Sequence, residues 1–133
     1  MKINYLAIAA CIVINMGLGM TWFGVFAEPW MAGHGLTLEI IEKNTSATPY
    51  IATIVAALVS GYVMSLLFQR MNVQGWADGA KAGAAIGGLL FFATFASYMF
   101  ALKSPSFAAM DGGYMFILYT LYGALLGGWQ KKA

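Results

Sequence analysis

Three titratable side chains could meet at one end of a helical protein and do chemistry together. Glu28 and His34 follow the first apolar run of the chain, and Asp111 precedes the last one. Two carboxylates and an imidazole are a possible set of metal ligands or a general acid–base pair. A simpler interpretation is favoured, in which Glu28 anchors a helix boundary, His34 belongs to a loop and Asp111 caps the last helix. The sequence therefore predicts no catalytic residue, no metal and no cofactor.

No other motif indicates a reaction. The chain has no nucleophile elbow, phosphate-binding loop, paired zinc-ligand motif or dinucleotide-binding turn. Its net charge of +2 is spread along the chain and forms no basic patch, which argues against nucleic acid as a partner. These features favour a protein that is not an enzyme.

The composition indicates a membrane protein. Hydrophobic residues make up 61% of the 133 residues and charged residues only 9%, whereas soluble domains are roughly a quarter charged. Four stretches without charge are long enough to cross a hydrocarbon core of about 30 Å as helices. We predict a single all-α domain over residues 1–133, with four transmembrane helices in an antiparallel bundle. The spans lie at about residues 5–27, 49–69, 82–102 and 112–129.

Basic residues predict the orientation of these spans, because Lys and Arg are retained on the cytoplasmic side. One side carries Lys2, Arg70, Lys81, Lys131 and Lys132, and the other carries only Lys43 and Lys103. Both termini are thus predicted to be cytoplasmic. The long loop at residues 28–48 then lies outside, and its apolar residues among charges predict a short helix on the membrane surface.

Polar side chains within the predicted spans are a second place to look for function. None of them is charged, although a proton relay or a path for charged solutes usually needs charge at this depth. Asn15 lies near mid-membrane and can join two helices by hydrogen bonds. The alternative is a passive channel or carrier for a small neutral solute or a lipid. Its lining would be Asn15, Ser60, Ser97, Tyr119 and Thr120.

Small residues spaced four apart give three of the predicted helices a smooth face. In lipid, close backbone approach at such faces is what joins helices. The faces can pack within one chain or between chains, and the sequence leaves both open. They consist of Ala57 and Gly61 in the second span, Gly79, Gly83 and Gly87 in the third, and Gly123 and Gly127 in the fourth.

Four segments carry a resemblance to a known family. They are the aromatic stretch from Trp22 to Trp30, the glycines Gly83, Gly87 and Gly88 ahead of Phe91-Phe92, the Asp111-Gly112-Gly113-Tyr114 motif, and the stretch from Gly123 to Trp129. In these segments the chain resembles the bacterial four-helix membrane family catalogued as domain of unknown function 1761. This chain has Met115 where that family commonly has His. The resemblance implies a fold and a membrane location, and it implies no reaction.

One interpretation accounts for most of these features. We predict a non-enzymatic protein, integral to the bacterial cytoplasmic (inner) membrane and in contact with its lipid bilayer. It would form a homo-oligomer or serve as an accessory subunit beside another membrane protein, because its helices carry glycine faces. The channel or carrier is the first alternative, and an outer-rim site of Glu28, His34 and Asp111 for a metal or an enzyme reaction is the second.

Overall fold

The computed structural model describes residues 3–130, and every regular element in that range is an α-helix. The helices are α1 (Tyr5–Val25), α2 (Ala27–His34), α3 (Leu38–Lys43), α4 (Thr48–Met71), α5 (Trp76–Phe100) and α6 (Pro105–Gly128). Each of the four long helices overlaps one of the four predicted spans, and α3 is the short helix predicted in the long loop. Lys2, Lys131 and Lys132, on which the predicted orientation partly depends, lie outside the described residues.

Capping side chains set where the helices begin. Asn4 Oδ1 accepts the backbone N–H of Leu6 at 3.1 Å at the start of α1, and Ser104 Oγ accepts that of Phe107 at 3.1 Å at the start of α6. Such bonds satisfy amides that have no partner within the helix. The prediction that Asp111 caps the last helix is wrong, because Ser104 is its cap and Asp111 lies within it.

The predicted starts of two helices are too late for a common reason. α5 begins at Trp76 and includes Asp78 and Lys81, so it extends beyond the uncharged stretch. α6 begins at Pro105, where the fixed φ of proline and its missing N–H suit a first helical turn. Charge marks the edge of an apolar stretch, and the helix itself continues past that edge.

Three helices, α1, α4 and α5, are long and apolar enough to cross a membrane. The fourth long helix, α6, has 24 residues, contains Asp111 and three tyrosines, and is not among these three. It is also the most deeply packed, because α1, α4 and α5 all contact it. Its Tyr122 is among the largest fully buried side chains, together with Phe68 of α4 and Cys11 of α1.

Glycines bring α5 and α6 into backbone contact. A Cβ at Gly79 would overlap the carbonyl oxygen of Gly123 and one at Gly83 that of Tyr119, while one at Gly87 would lie 2.8 Å from the Cα of Phe116. The Gly75 N–H donates to the carbonyl oxygen of Gly127 at 3.0 Å. Later residues of α5 thus contact earlier residues of α6, so the two helices run in opposite directions. The predicted glycine faces of these helices pack within the chain.

A smaller contact of the same kind joins α1 and α4. A Cβ at Gly61 would lie 3.0 Å from the Cγ2 of Ile8, and Ala57 one turn earlier is fully buried. The second-span face predicted from Ala57 and Gly61 is therefore also used inside the chain.

We expect Gly83→Ala to destabilise the protein, since its methyl group would meet the backbone at Tyr119 and Gly123. Overpacking of this kind costs about 1–3 kcal/mol in the free energy of unfolding. Gly88→Ala is the matched control, because nothing lies within 4 Å of a Cβ there, and alanine in a helix is favoured by about 1 kcal/mol over glycine. Unfolding in mixed micelles, followed by circular dichroism, measures both. Equal effects of the two substitutions would contradict the packing described.

Candidate functional site

A carboxylate at one end of the molecule joins three helices. The Oδ2 of Asp111 in α6 accepts a hydrogen bond of 2.5 Å from the hydroxyl of Tyr98 in α5. The same oxygen lies 3.5 Å from Nε2 of His34, the last residue of α2, and a protonated imidazole forms an ion pair there. The Asp111 side chain is only 12% exposed, and its Oδ1 is buried with no hydrogen-bond partner among the described residues. One of the two oxygens of this largely buried carboxylate therefore accepts no hydrogen bond from the described residues.

The end of α2 is held so that His34 faces Asp111. A Cβ at Gly33 would lie 2.5 Å from the ring of Phe107, so only glycine lets α2 come this close to α6. Lys103 Nζ donates to the Gly33 carbonyl oxygen at 2.9 Å, which satisfies an otherwise free carbonyl in the last turn of α2. The imidazole meets the rings of Trp30 and Phe107 edge-on, each at a centroid distance of 4.8 Å.

A groove of about 570 Å³ opens beside this carboxylate, with α1 and α2 on one side, α5 on the other and α6 as its floor. We call it the aromatic groove. The centroid of Phe23 lies 5.4 Å from that of Trp30 and 5.0 Å from that of Tyr114, so these three rings form a continuous aromatic wall. The groove is lined by Phe23, Trp30, His34, Ala93, Thr94, Ser97, Tyr98, Asp111, Tyr114 and Met115.

The predicted outer-rim cluster is formed in part. His34 and Asp111 come together, while Glu28 is an exposed residue in the first turn of α2 and does not line the aromatic groove. Within residues 3–130, no three His, Cys, Asp or Glu side chains are grouped so as to hold a metal ion. The pair falls short of the three or four protein ligands of a zinc site.

Tyr98 is the important residue that the sequence did not reveal. Its position near the end of a span made it look like an interfacial aromatic residue. Counting outward from the Lys103-Ser104 turn would not have found it, because Tyr98 lies five residues before Lys103 and Asp111 lies seven after Ser104.

The polar residues predicted at depth occupy separate places. The Tyr114 hydroxyl donates to Asn15 Oδ1 at 2.6 Å, which joins α6 to α1, and Ser60 Oγ lies 2.8 Å from the Tyr119 hydroxyl, which joins α4 to α6. Thr120 bonds back to the Phe116 carbonyl of its own helix. Of the five, only Ser97 lines the aromatic groove. The interpretation of Asn15 as a bridge between two helices is confirmed.

The fold and the groove define a small all-helical protein with three helices that could span a membrane. The chain belongs to the family described as a protein of unknown function, DUF1761, which matches residues 6–127. No curated protein and no solved structure matches the chain. The family membership expected from the sequence is thus confirmed, and a function has to be inferred from the groove itself.

Tyr98→Phe should destabilise the protein by about 1–3 kcal/mol, because it removes a hydrogen bond to a largely buried carboxylate. Tyr50→Phe removes the same hydroxyl from a side chain that is 64% exposed and should change the free energy of unfolding by less than about 0.5 kcal/mol. Detergent unfolding of both variants gives the comparison. Similar values for the two would mean that the bond between Tyr98 and Asp111 does not form.

Proposed function

We propose that the protein is a four-span protein of the bacterial cytoplasmic membrane that binds a small ligand in the aromatic groove and does not transform it. The observation that carries this proposal is the Asp111 carboxylate, whose side chain is 12% exposed and lines a groove with an aromatic wall. The volume of the aromatic groove, about 570 Å³, lies within the roughly 300–1,000 Å³ that small-molecule sites occupy.

The fourth span in this proposal is α6. A helix at the centre of a bundle faces protein on several sides, so it needs less apolar surface than helices that face lipid. Two of the three tyrosine hydroxyls of α6 are paired, that of Tyr114 with Asn15 and that of Tyr119 with Ser60, which lowers the cost of placing these two in hydrocarbon.

The proposed orientation has both termini in the cytoplasm. The Asn4 side chain donates to the Trp129 carbonyl at 3.0 Å, and Gln130 donates to the Val73 carbonyl at 2.6 Å. These bonds gather the start of α1, the turn between α4 and α5, and the end of α6 at one end of the molecule. Arg70 and Lys81 lie near that end, which the positive-inside rule assigns to the cytoplasm. The aromatic groove then opens at the outer end.

A binding role fits the groove better than catalysis does. Within residues 3–130, no Ser, Thr or Cys side chain is hydrogen-bonded to His34 or Asp111, whereas an activated nucleophile needs a base within hydrogen-bond reach. The channel alternative loses support, because Asn15, Ser60, Tyr119 and Thr120 are engaged in or between helices. Association with a second copy or with another membrane protein stays a prediction, and the glycine faces no longer argue for it.

The orientation is tested by labelling single cysteines in spheroplasts with a membrane-impermeant maleimide. Cys11→Ala removes the buried native thiol, and Glu42→Cys and Gln74→Cys then place one exposed thiol at each end. We expect Glu42→Cys to react in intact spheroplasts and Gln74→Cys to react only after the membrane is opened. The reverse pattern would overturn the orientation, and equal labelling would overturn the four-span topology.

Ligand binding is tested by calorimetry on the protein in lipid nanodiscs, with three probes of the same shape and different charge. They are choline, its neutral isostere 3,3-dimethylbutan-1-ol and the anion 3,3-dimethylbutanoate. At least one should bind saturably at one per chain, and Ser97→Trp, which fills the aromatic groove, should abolish that binding. Ser106→Trp makes the same change in a neighbouring groove beside Lys103 and should leave it intact. Saturable binding of none of the three would refute the proposed function.

A further inference from the structure

We infer that the ligand of the aromatic groove is an organic ammonium cation, with an apolar part that contacts the aromatic wall and a positive nitrogen near Asp111. This inference rests on the proposed function and specifies its ligand class. Charge, ring geometry and access to the groove support it independently.

The aromatic groove carries the negative charge of Asp111, which the neighbouring groups balance only in part. Asp111 is a carboxylate with little exposure to water, and a buried ion is costly unless an opposite charge and hydrogen bonds offset its lost hydration. Tyr98 supplies one neutral hydrogen bond, and His34 supplies a positive charge only when it is protonated. The nearby Lys103 points elsewhere, because its Nζ is bonded to the Gly33 carbonyl. A cation in the groove would supply the compensation that these neighbours do not.

The rings select the kind of cation. An alkylated ammonium is held over ring faces by the ring quadrupole, and this attraction is strongest with Trp. Trp30, Phe23 and Tyr114 provide adjoining rings on the side of the groove formed by α1, α2 and α6. A metal ion would need several oxygen ligands in one place, whereas the groove offers one carboxylate and hydroxyls. The surface therefore suits a bulky, weakly hydrated cation.

The groove is accessible from the side of the bundle. Among the long helices, α5 packs substantially only against α6, and α1 packs against α4 and α6. The gap between α1 and α5 is where the aromatic groove opens, with Ser97 and Met115 exposed along it. In the proposed orientation this gap lies at the outer face of the cytoplasmic membrane. An amphipathic amine at that interface has its charge in water and its apolar part in lipid.

The three isosteric probes test the cation inference separately from the proposed function. Choline should bind about tenfold or more tightly than the neutral alcohol, because charge attraction and cation–π contact are lost together in the alcohol. The anion should not bind. Preference for the alcohol or the anion, or equal affinity of choline and the alcohol, would overturn the cation inference and leave the proposed function standing. Binding of none of the probes would overturn both.

Substitutions of charged residues test whether Asp111 is the group that attracts the cation. Asp111→Asn should weaken choline binding by about tenfold or more, whereas Glu28→Gln, which removes another carboxylate from this end of the molecule but outside the aromatic groove, should leave it unchanged. His34→Gln removes the one basic side chain within residues 3–130 that lies within ion-pair distance of Asp111, so it should strengthen choline binding or leave it unchanged. Equal losses from Asp111→Asn and Glu28→Gln would overturn the inference, as would weaker binding by His34→Gln.

Trp30→Leu tests the aromatic wall should Asp111→Asn fail to fold. The loss of one ring face should reduce the preference for choline over the neutral alcohol by about threefold or more, while Trp30→Phe should restore most of it. A preference that is the same in Trp30→Leu as in the unaltered protein would contradict a role for the rings in holding the cation.

Discussion

The contact between the glycine faces of α5 and α6 is the constraint on which the rest of the structure depends. In a bilayer the hydrophobic effect does not distinguish a neighbouring helix from lipid, so helices associate through close packing and hydrogen bonds. Gly79 and Gly83 of α5 meet Gly123 and Gly127 of α6 with no side chain between the backbones. An interface this close tolerates little sliding, because a shift of one residue would bring a side chain against a backbone.

The register set by these glycines determines the candidate site. With the two helices fixed along their length, the end of α5 is held beside the start of α6, and the Tyr98 hydroxyl reaches Asp111. Because α5 is held mainly by α6, it leaves a gap towards α1. The short helix α2 ends at that gap and brings His34 and Trp30 to its edge. The aromatic groove is therefore a consequence of which helix pairs pack tightly and which do not.

Charge-free length and small-residue spacing were sufficient to predict the four long helices and the glycine faces. They could not say whether the faces pack within or between chains, since both arrangements satisfy the same physics. The role of Asp111 was predicted wrongly because an acidic residue ahead of an apolar stretch resembles a cap, and the stronger signal of Ser104-Pro105 lay about two turns earlier. The role of Tyr98 was not predicted, because its hydrogen bond to Asp111 depends on how α5 packs against α6. His34 and Asp111 were expected at the same end of the bundle and do meet there, but the favoured interpretation of His34 as a loop residue was wrong, because His34 is the last residue of helix α2.

The packing of α5 on α6, which brings Tyr98 to Asp111, is tested most directly by a double-mutant cycle on these two residues. The free energy of unfolding is measured for the unaltered protein, for Tyr98→Phe, for Asp111→Asn and for the double variant. A register held by the glycine faces predicts a coupling energy of about 1 kcal/mol or more between the two substitutions. Additive effects, within about 0.3–0.5 kcal/mol, would mean that the two side chains do not meet and would contradict the site described.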